Sequence, residues 1–278
     1  MKLNINVEDA IRNRHSVRSY DSRQLTPEEK ARIIEMARSI DNPWGIDVKV
    51  HIIDNAISSD GEKLGTYGVV KGATTFLGVS VENRKYALVA AGYNFECLML
   101  WLTSIGLGTV WLGGTFRKSR FASTMGIGND ELFPAISPVG YPAKRRFAES
   151  LMRKALKSDQ RKPWVELFFD GNAQTPLSRQ DAGKYALPLE MVRLAPSARN
   201  AQPWRIVRTE AGWHFYSSYE PKATIEETPF KQVDLGIAIA HFHQTALSIG
   251  LGGRVSCEAH PTEVTPDYHY IATWIPED

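Results

Sequence analysis

Ser104-Ile105-Gly106-Leu107-Gly108 is the stretch that decides the fold, because the same five residues recur at 248–252. Each copy ends a long apolar segment with helical spacing, and the two copies lie 144 positions apart. Gly92 and Gly236 keep that offset, so the repeat covers at least one long helix in each part of the chain. A repeat of this kind predicts two related modules in tandem.

Weaker matches accompany this repeat and occur in the same order in both modules. Asn42-Pro43-Trp44 and Gln202-Pro203-Trp204 each precede a stretch rich in strand-forming residues, at 46–53 and 205–216. The pattern in each module therefore predicts a short helix, a Pro-Trp turn, two strands, a long helix, a glycine-rich turn and a further strand. Additional strands are predicted at 75–81, 133–139 and 270–274. The alternative is a second half unrelated to the first.

The boundary between the modules is predicted near residue 170, where Gly, Asn and Pro cluster, giving halves of 1–170 and 171–278. The sequences that follow the repeat differ. The first copy continues as Thr109-Val110-Trp111-Leu112-Gly113-Gly114, and the second as Gly253-Arg254-Val255-Ser256. If the halves pair face to face, they build one working site from unlike parts.

The composition narrows the class of protein. The 278 residues include 43% hydrophobic and 23% charged residues, and a net charge of +2 gives little support to nucleic-acid binding. The two cysteines, Cys97 and Cys257, lack the spacing of a zinc site or a disulfide scaffold, so no metal is expected. The longest apolar stretch, 86–105, contains Asn94 and Glu96 and predicts a core helix rather than a membrane span. A cytoplasmic location is the simplest expectation.

Arg14, Ser16 and Arg18 alternate along the chain near its start. On an extended backbone they point the same way, so two guanidinium groups and a hydroxyl form a clamp suited to a phosphate or another electron-rich, planar group. An exposed basic loop is the alternative interpretation.

Two further segments can face a ligand. Residues 195–204 combine two prolines with small and polar residues, which predicts a rigid turn whose amides and Asn side chain face a ligand; an ordinary helix-to-strand turn is the alternative. Residues 106–114 place glycines on both sides of a short strand, which lets backbone approach a flat ligand closely. The first glycine pair, Gly106 and Gly108, also suits an ordinary helix C-cap.

Residues 140–146 form a fourth segment, a strand end and turn followed by three cations, which suits a phosphate or merely a solvated surface. No HExxH, GxSxG, Cys/His pair or acidic metal cluster is present in the sequence. Such a site offers cations and amide donors without an evident nucleophile. That combination suits a bound cofactor that brings its own reactivity.

Taken in order, these four segments resemble the FMN-dependent nitroreductase superfamily. The matching elements are Arg14-His15-Ser16-Val17-Arg18, the Pro-Ser-x-x-Asn-x-Gln-Pro-Trp run at 196–204, the Gly-Leu-Gly-Thr-x-Trp-Leu-Gly run at 106–113, and Gly140-Tyr141-Pro142 with its trailing cations. The order departs from the usual pattern, because the Pro-Ser-x-x-Asn element lies in the second half. The chain is thus similar to a fused, pseudo-dimeric branch in which one chain imitates the usual dimer.

The resemblance implies an α+β nitroreductase-like fold, with two tandem halves that each contain a mixed, mainly antiparallel sheet and long core helices, packed as an intramolecular pseudo-dimer. It assigns the FMN phosphate and ribityl chain to Arg14 and Ser16 with Arg145 or Arg146. It places Arg18 at the N1/O2 edge of the flavin and Gly113 or Gly114 beside N5, and these three are the predicted catalytic residues. The implied cofactor-binding residues are Arg14, His15, Ser16, Arg18, Leu112, Gly113, Gly114, Arg145, Arg146, Pro196, Ser197, Ala198 and Asn200.

The function implied is reduction of electron-poor acceptors, such as nitroaromatics or quinones, with NAD(P)H as donor and one FMN per chain. A non-catalytic flavin-binding protein is one alternative, and metabolite-specific dehydrogenase or dehalogenase chemistry is another. Tyr67 and Lys71 lie in a segment at 54–72 that the second half lacks, and with Trp111 they form our predicted substrate pocket. We expect a small-molecule substrate and a monomer, since fusion of the halves removes the usual reason to dimerise.

Overall fold

The structure is a computed structural model that describes residues 1–54, 64–144, 150–151, 154–155, 160–218, 228–258 and 268–277. The helices of this part are α1 (Val7–Asn13), α2 (Pro27–Ser39), α3 (Ala87–Ser104), α4 (Lys118–Met125), α5 (Ala186–Leu194) and α6 (Thr228–Ser248). The strands are β1 (Val48–Asp54), β2 (Thr75–Glu82), β3 (Gly108–Thr109), β4 (Glu131–Gly140), β5 (Phe168–Asp170), β6 (Trp204–Thr209), β7 (Gly212–Ser218), β8 (Gly253–Ser256) and β9 (Tyr268–Pro276).

The strands form two sheets with the same internal order. The first sheet runs β1-β2-β4-β3 and the second runs β5-β6-β7-β9-β8. Apart from β5, the two orders correspond strand by strand. An antiparallel pair (β1-β2 or β6-β7) is followed by the last strand of its sheet in chain order (β4 or β9), and then by the short strand that comes after the long helix (β3 or β8). All neighbours are antiparallel except β5 and β6. The predicted α+β class with two mainly antiparallel sheets is confirmed.

The edge strand β5 joins the two parts of the chain. Phe168 pairs in parallel with Ile206, and Asp170 pairs with Arg208, so β5 extends the second sheet. The Asp170 carboxylate also accepts two hydrogen bonds from the Arg208 guanidinium, at 2.9 and 2.7 Å. The segment just before residue 171 therefore belongs to the first half by sequence order and to the second sheet by pairing.

The repeated pentapeptide ends both long helices in the same way. In α3 the Gly106 N–H donates to Thr103 O and the Leu107 N–H donates to Leu102 O, at 3.1 and 3.0 Å. The second copy repeats this pattern from Gly250 and Leu251 after α6, at 3.3 and 2.9 Å. Both glycines have a positive φ, +82° and +79°, so each copy is a Schellman cap and the expected C-cap is confirmed.

The two long helices pack side by side through reciprocal contacts. An ideal Cβ on Gly92 would lie 2.2 Å from Val233 O, and one on Gly236 would lie 2.0 Å from Val89 O. Gly92 and Gly236 are 144 positions apart, and so are Val89 and Val233. Each helix thus presents the same glycine and the same valine to the other, which is the contact pattern of an isologous interface.

Local structure follows residue type at the start of α2 and in the core. Thr26 and Glu29 form a capping box at the start of α2, with Pro27 in the first turn. Cys97 is a fully buried free thiol, and burial raises its pKa. The main core contains buried side chains from both sheets and from α3, including Leu77, Phe215 and Phe95. Within the described residues, no helix is both long and apolar enough to span a bilayer.

Candidate active site

The segment that follows α1 and carries Ser16 and Arg18 is held between β3 and the chain at Lys71. Val17 N–H donates to Thr109 O at 2.9 Å, and Ser16 forms a parallel bridge with Thr109. On the other side, Lys71 N–H donates to Arg18 O at 2.9 Å. The backbone from Ser16 to Ser19 is therefore extended and bonded on both edges, whereas Arg14 caps the end of α1 through its N–H to Ala10 O. Arg18 is buried, with 8% of its surface exposed.

Gly108 lets the 106–114 segment come into contact with the segment that carries Ser16 and Arg18. An ideal Cβ on Gly108 would lie 2.9 Å from the Val17 side chain, so a larger residue there would push the segment at Val17 away. Further along, Leu112 exchanges backbone hydrogen bonds with Ile136 of β4, at 2.9 and 3.0 Å. The strand thus reaches Gly113 in a fixed register against the first sheet.

Phe230, in the first turn of α6, covers the backbone of Gly113. An ideal Cβ on Gly113 would lie only 2.4 Å from Phe230 Cε1, whereas a Cβ on Gly114 would meet nothing within 4 Å. Phe230 comes from the second half of the chain and Gly113 from the first. The site therefore combines backbone of one half with an aromatic side chain of the other.

The Pro-Ser-x-x-Asn turn has an unusual backbone. Arg199, Asn200 and Gln202 all have positive φ values, +52°, +58° and +49°. Asn tolerates this conformation, whereas Arg and Gln adopt it rarely, at a cost of about 1–3 kcal/mol each. Such backbone conformations cluster at functional sites, because the surroundings must hold them in place.

A buried carboxylate holds this turn. Asp234 of α6 is 4% exposed and accepts the Ala198 N–H at 3.0 Å to Oδ1 and 3.2 Å to Oδ2. Burial raises the pKa of Asp234 well above its usual value, while the Ala198 hydrogen bond acts in the opposite direction. Residues 230 and 234 are one helical turn apart, so their side chains share one face of α6, with Cβ atoms about 5–6 Å apart. The helix thus brings the turn next to Gly113.

The turn is also tied to the segment before β5. Asn200 Nδ2 donates to Gln160 O at 2.9 Å, and Arg161 Nη2 donates to Leu194 O at 3.2 Å. Lys162 N–H donates to Gln202 Oε1 at 2.8 Å. The Asn200 side chain is therefore bonded to the segment before β5, while the backbone amide of Ala198 faces Asp234.

Glu96, in the middle of α3, has three nitrogen groups around it although its side chain is fully buried, two at hydrogen-bond distance and one at ion-pair distance. Trp111 Nε1 donates to Glu96 Oε2 at 2.7 Å, and His241 Nε2 lies 2.9 Å from Oε1. Arg14 Nε lies 3.8 Å from the same Oε1, and its side chain is only 7% exposed. The other His241 nitrogen, Nδ1, lies 2.8 Å from Met191 O on α5. One carboxylate thereby links the Arg14 segment, the strand leading to Gly113 and two helices of the second half.

The counterpart of Gly113 in the second half carries a side chain. Cys257 lies 144 positions after Gly113, and its Sγ accepts a hydrogen bond from Trp44 Nε1 at 2.7 Å. Tyr86, at the position equivalent to Phe230, also contributes a hydrogen bond to this thiol. Burial raises the pKa of Cys257. Where the first half has bare backbone, the second half has a thiol packed against two aromatic rings.

Other predicted site residues are placed less centrally. His15 is exposed, with Nδ1 3.0 Å from Asn13 O, and Tyr67 is 66% exposed. Lys71 is exposed and joins the Arg18 segment through its backbone. Trp111 remains a predicted pocket residue, but its indole N–H is engaged by Glu96 and its ring packs edge-on against Phe95 at 5.0 Å. Arg145 and Arg146 lie outside the described residues.

Sequence reasoning missed Phe230, Asp234 and His241 as site residues. Asp234 had a detectable signal, because an acidic residue in an apolar helical run must find a partner when it is buried. The same signal was visible at Glu96. Phe230 gave no such signal, since an aromatic residue at the start of a core helix is ordinary.

A protein-family model described as "Putative TM nitroreductase" matches residues 6–246 of the chain. The chain belongs to this nitroreductase family. The expected family resemblance is therefore confirmed over most of the sequence, including all four motifs. No match was found among curated proteins.

A solved structure described as a nitroreductase shows the same fold over nearly the whole chain. The chain is similar to a "putative nitroreductase" from Thermotoga maritima MSB8, with 23% identity and a TM-score of 0.62 over 99% of this chain and 95% of that chain. It also matches a nitroreductase with bound FMN from Bacteroides fragilis NCTC 9343, at 21% identity and TM-score 0.41, covering 51% of this chain and 91% of that one. A nitroreductase family protein from Clostridium difficile 630 matches at 18% identity and TM-score 0.44, covering 60% and 96%.

Proposed function

We propose that the protein is an FMN-dependent oxidoreductase that uses NAD(P)H to reduce electron-poor acceptors such as nitroaromatics or quinones. The observation that carries the proposal is the composite site on α6. Phe230 and Asp234 bring the Pro196–Asn200 turn of the second half beside the Gly113 strand of the first. The first half supplies the cations Arg14 and Arg18 and the side-chain-free backbone at Gly113. The second half supplies the Pro196–Asn200 turn with its positive φ values.

The residues present fit FMN by the chemistry of their donors. Arg14 caps α1, Ser16 and Arg18 follow on the extended segment, and the three would hold the phosphate, the ribityl chain and the N1/O2 edge of the ring. Leu112, Gly113 and Gly114 would lie along the N5 edge, where the absence of side chains at two positions permits close approach. Pro196, Ser197, Ala198 and Asn200 would cover the cofactor from the second half. Bound FMN would supply the two-electron chemistry that these side chains lack.

The protein's own contribution is positional and electrostatic. A fixed guanidinium at Arg18 would stabilise negative charge at the flavin edge, because a buried cation acts strongly where water is excluded. Phe230, which rests on Gly113, would limit the size of molecules that approach that backbone. The nature of the acceptor would then depend on this ring and on the segment that carries Tyr67 and Lys71.

We further propose that one chain holds one FMN as an internal pseudo-dimer. Support comes from the matching sheet orders and from the reciprocal contacts of Gly92 and Gly236. The place equivalent to Gly113 holds Cys257, which packs against Trp44. Cys257 carries a side chain where Gly113 has none, so we assign the single flavin to the first site. A monomer in the cytoplasm is part of this proposal.

The test begins with the purified protein. We expect a yellow preparation, or a colourless one that takes up FMN, with one flavin per chain by absorbance. Excess NADH or NADPH under anaerobic conditions should bleach the flavin band, and a nitroaromatic or quinone should restore it. A protein that takes up no FMN refutes the proposal, and two flavins per chain refute the single-site arrangement.

Phe230 is the observation that favours a second candidate, a flavin-binding protein with a closed substrate face. Its ring already lies on the Gly113 backbone. A flavin that stays oxidised under excess NADH and NADPH in the native protein would favour this non-catalytic function. Reduction that appears only in Phe230→Ala would identify the ring as the block.

A further inference from the structure

The Arg14–Glu96 contact decides how much positive charge Arg14 offers to an anion at the proposed FMN site. Arg14 is the residue expected to hold the phosphate, yet its Nε lies 3.8 Å from a fully buried carboxylate. If Glu96 neutralised Arg14, the guanidinium would add little attraction for an anion. The answer depends on His241, which contacts the same carboxylate oxygen at 2.9 Å.

The partners of His241 determine where its protons lie. Met191 O can only accept a hydrogen bond, so Nδ1 must carry a hydrogen. This carbonyl is available because Ala195 N–H, the next donor after α5, donates to Val192 O instead. At Nε2 the partner is a carboxylate oxygen, so one more proton must lie between Nε2 and Oε1.

That extra proton makes the Glu96–His241 pair neutral in either arrangement. The pair is an imidazolium with a carboxylate, or an imidazole with a carboxylic acid, and both forms sum to zero charge. Loss of the proton would leave two acceptors facing each other at full burial, which is strongly unfavourable. Trp111 Nε1, the remaining donor to Glu96, brings no charge.

We propose that His241 is the counter-ion of Glu96, so that Arg14 retains its positive charge for the phosphate of the cofactor. Glu96 and His241 are then positioning residues. They fix Arg14 and Trp111 relative to α5 and α6 without cancelling the Arg14 charge. The inference rests on the proposed FMN function for the identity of the ligand, and on the geometry of this group for the charge.

Charge-neutral replacements separate this idea from a purely structural role. In His241→Gln the side chain cannot supply the second proton, so Glu96 becomes the counter-ion of Arg14 and the group becomes neutral. In Glu96→Gln the amide oxygen can accept from Trp111 Nε1 while the amide nitrogen donates to His241 Nε2, and the group keeps its single positive charge. The double variant Glu96→Gln/His241→Gln also keeps that charge.

The assay compares FMN with riboflavin, which lacks the phosphate, by fluorescence titration of each apoprotein. We expect H241Q to lower the preference for FMN over riboflavin by about tenfold or more, as befits loss of one buried charge-assisted contact. E96Q should keep the native preference, and E96Q/H241Q should restore it. Equal losses for both ligands in H241Q, or failure of the double variant to restore the preference, would overturn the inference.

Inorganic phosphate gives a second readout that does not need flavin. Phosphate should raise the Tm of the native protein and of E96Q/H241Q more than that of H241Q. If the native protein binds no flavin but shows this pattern, the proposed function fails while the charge assignment stands. A native protein whose Tm does not respond to phosphate contradicts the charge assignment, whatever the flavin result.

Discussion

Gly236→Ala tests the packing of the two long helices. The new Cβ would lie 2.0 Å from Val89 O and 2.8 Å from Tyr93 N, both backbone atoms that cannot rotate away. Ordinary contact begins near 3.4 Å, so α3 and α6 must move apart by more than 1 Å. Ala gains about 1 kcal/mol of helix propensity over Gly, whereas overpacking of a core costs about 1–3 kcal/mol and more when backbone must shift. We expect a net loss of about 2 kcal/mol in the free energy of unfolding.

Urea unfolding followed by circular dichroism measures this change, with Gly114→Ala as the control because its Cβ would meet nothing within 4 Å. Gly92→Ala should behave like Gly236→Ala, since its Cβ would lie 2.2 Å from Val233 O. The double variant should lose less than the sum of the two, because one separation of the helices relieves both clashes. A G236A protein as stable as the native one would refute the packing argument. If the losses of the two single variants simply add in the double variant, one separation of the helices does not relieve both clashes.

Three further outcomes follow from the site and its surroundings. Gly113→Ala should retain the fold but weaken FMN binding at least about tenfold by titration, because its Cβ displaces Phe230 and the flavin edge. Burial lowers the pKa of His243 to about 4, so the native protein should lose about 3 kcal/mol of unfolding free energy as pH falls from 6.5 to 4, and His243→Gln should not. Burial raises the pKa of Asp234, so Asp234→Asn, which keeps an acceptor for Ala198, should be more stable than the native protein at pH 7 and lose that advantage below about pH 4.

Each of these has an outcome that would contradict it. Unchanged FMN affinity in G113A would mean that the flavin lies elsewhere. A pH profile of stability that is identical in H243Q and the native protein would remove the buried histidine as its cause; His15→Gln, at an exposed position, is the control. A D234N protein less stable than the native one at pH 7 would show that the charged carboxylate stabilises the turn more than its burial costs.

The scaffold was predictable because its signals are local. A Schellman cap needs a glycine at one position after a helix, and the pentapeptide supplies it twice. The two sheets followed from strand patterns that recur in the same order. The four motifs identified the family because each matches a short run of residues.

The connections between the halves were not predictable, because they depend on how α6 packs. Phe230 reaches Gly113 of the first half, and Asp234 reaches Ala198 of the second, only because one face of this helix is turned toward both segments. Glu96 and His241 are 145 positions apart, and no local pattern links them. The sequence marks each as an unusual polar residue in an apolar run, but the partner is fixed only by tertiary packing.

The position of β5 decides where the chain can be divided. Expression of residues 171–278 alone would remove β5 and leave β6 as a bare edge, with the N–H of Ile206 losing its partner, Leu167 O. An unpaired edge of this kind invites pairing with other chains and aggregation. A fragment that starts upstream of Trp164 would carry β5 with the sheet that it completes. Two separately expressed pieces should therefore reassemble best when the cut lies before the repeat boundary rather than on it.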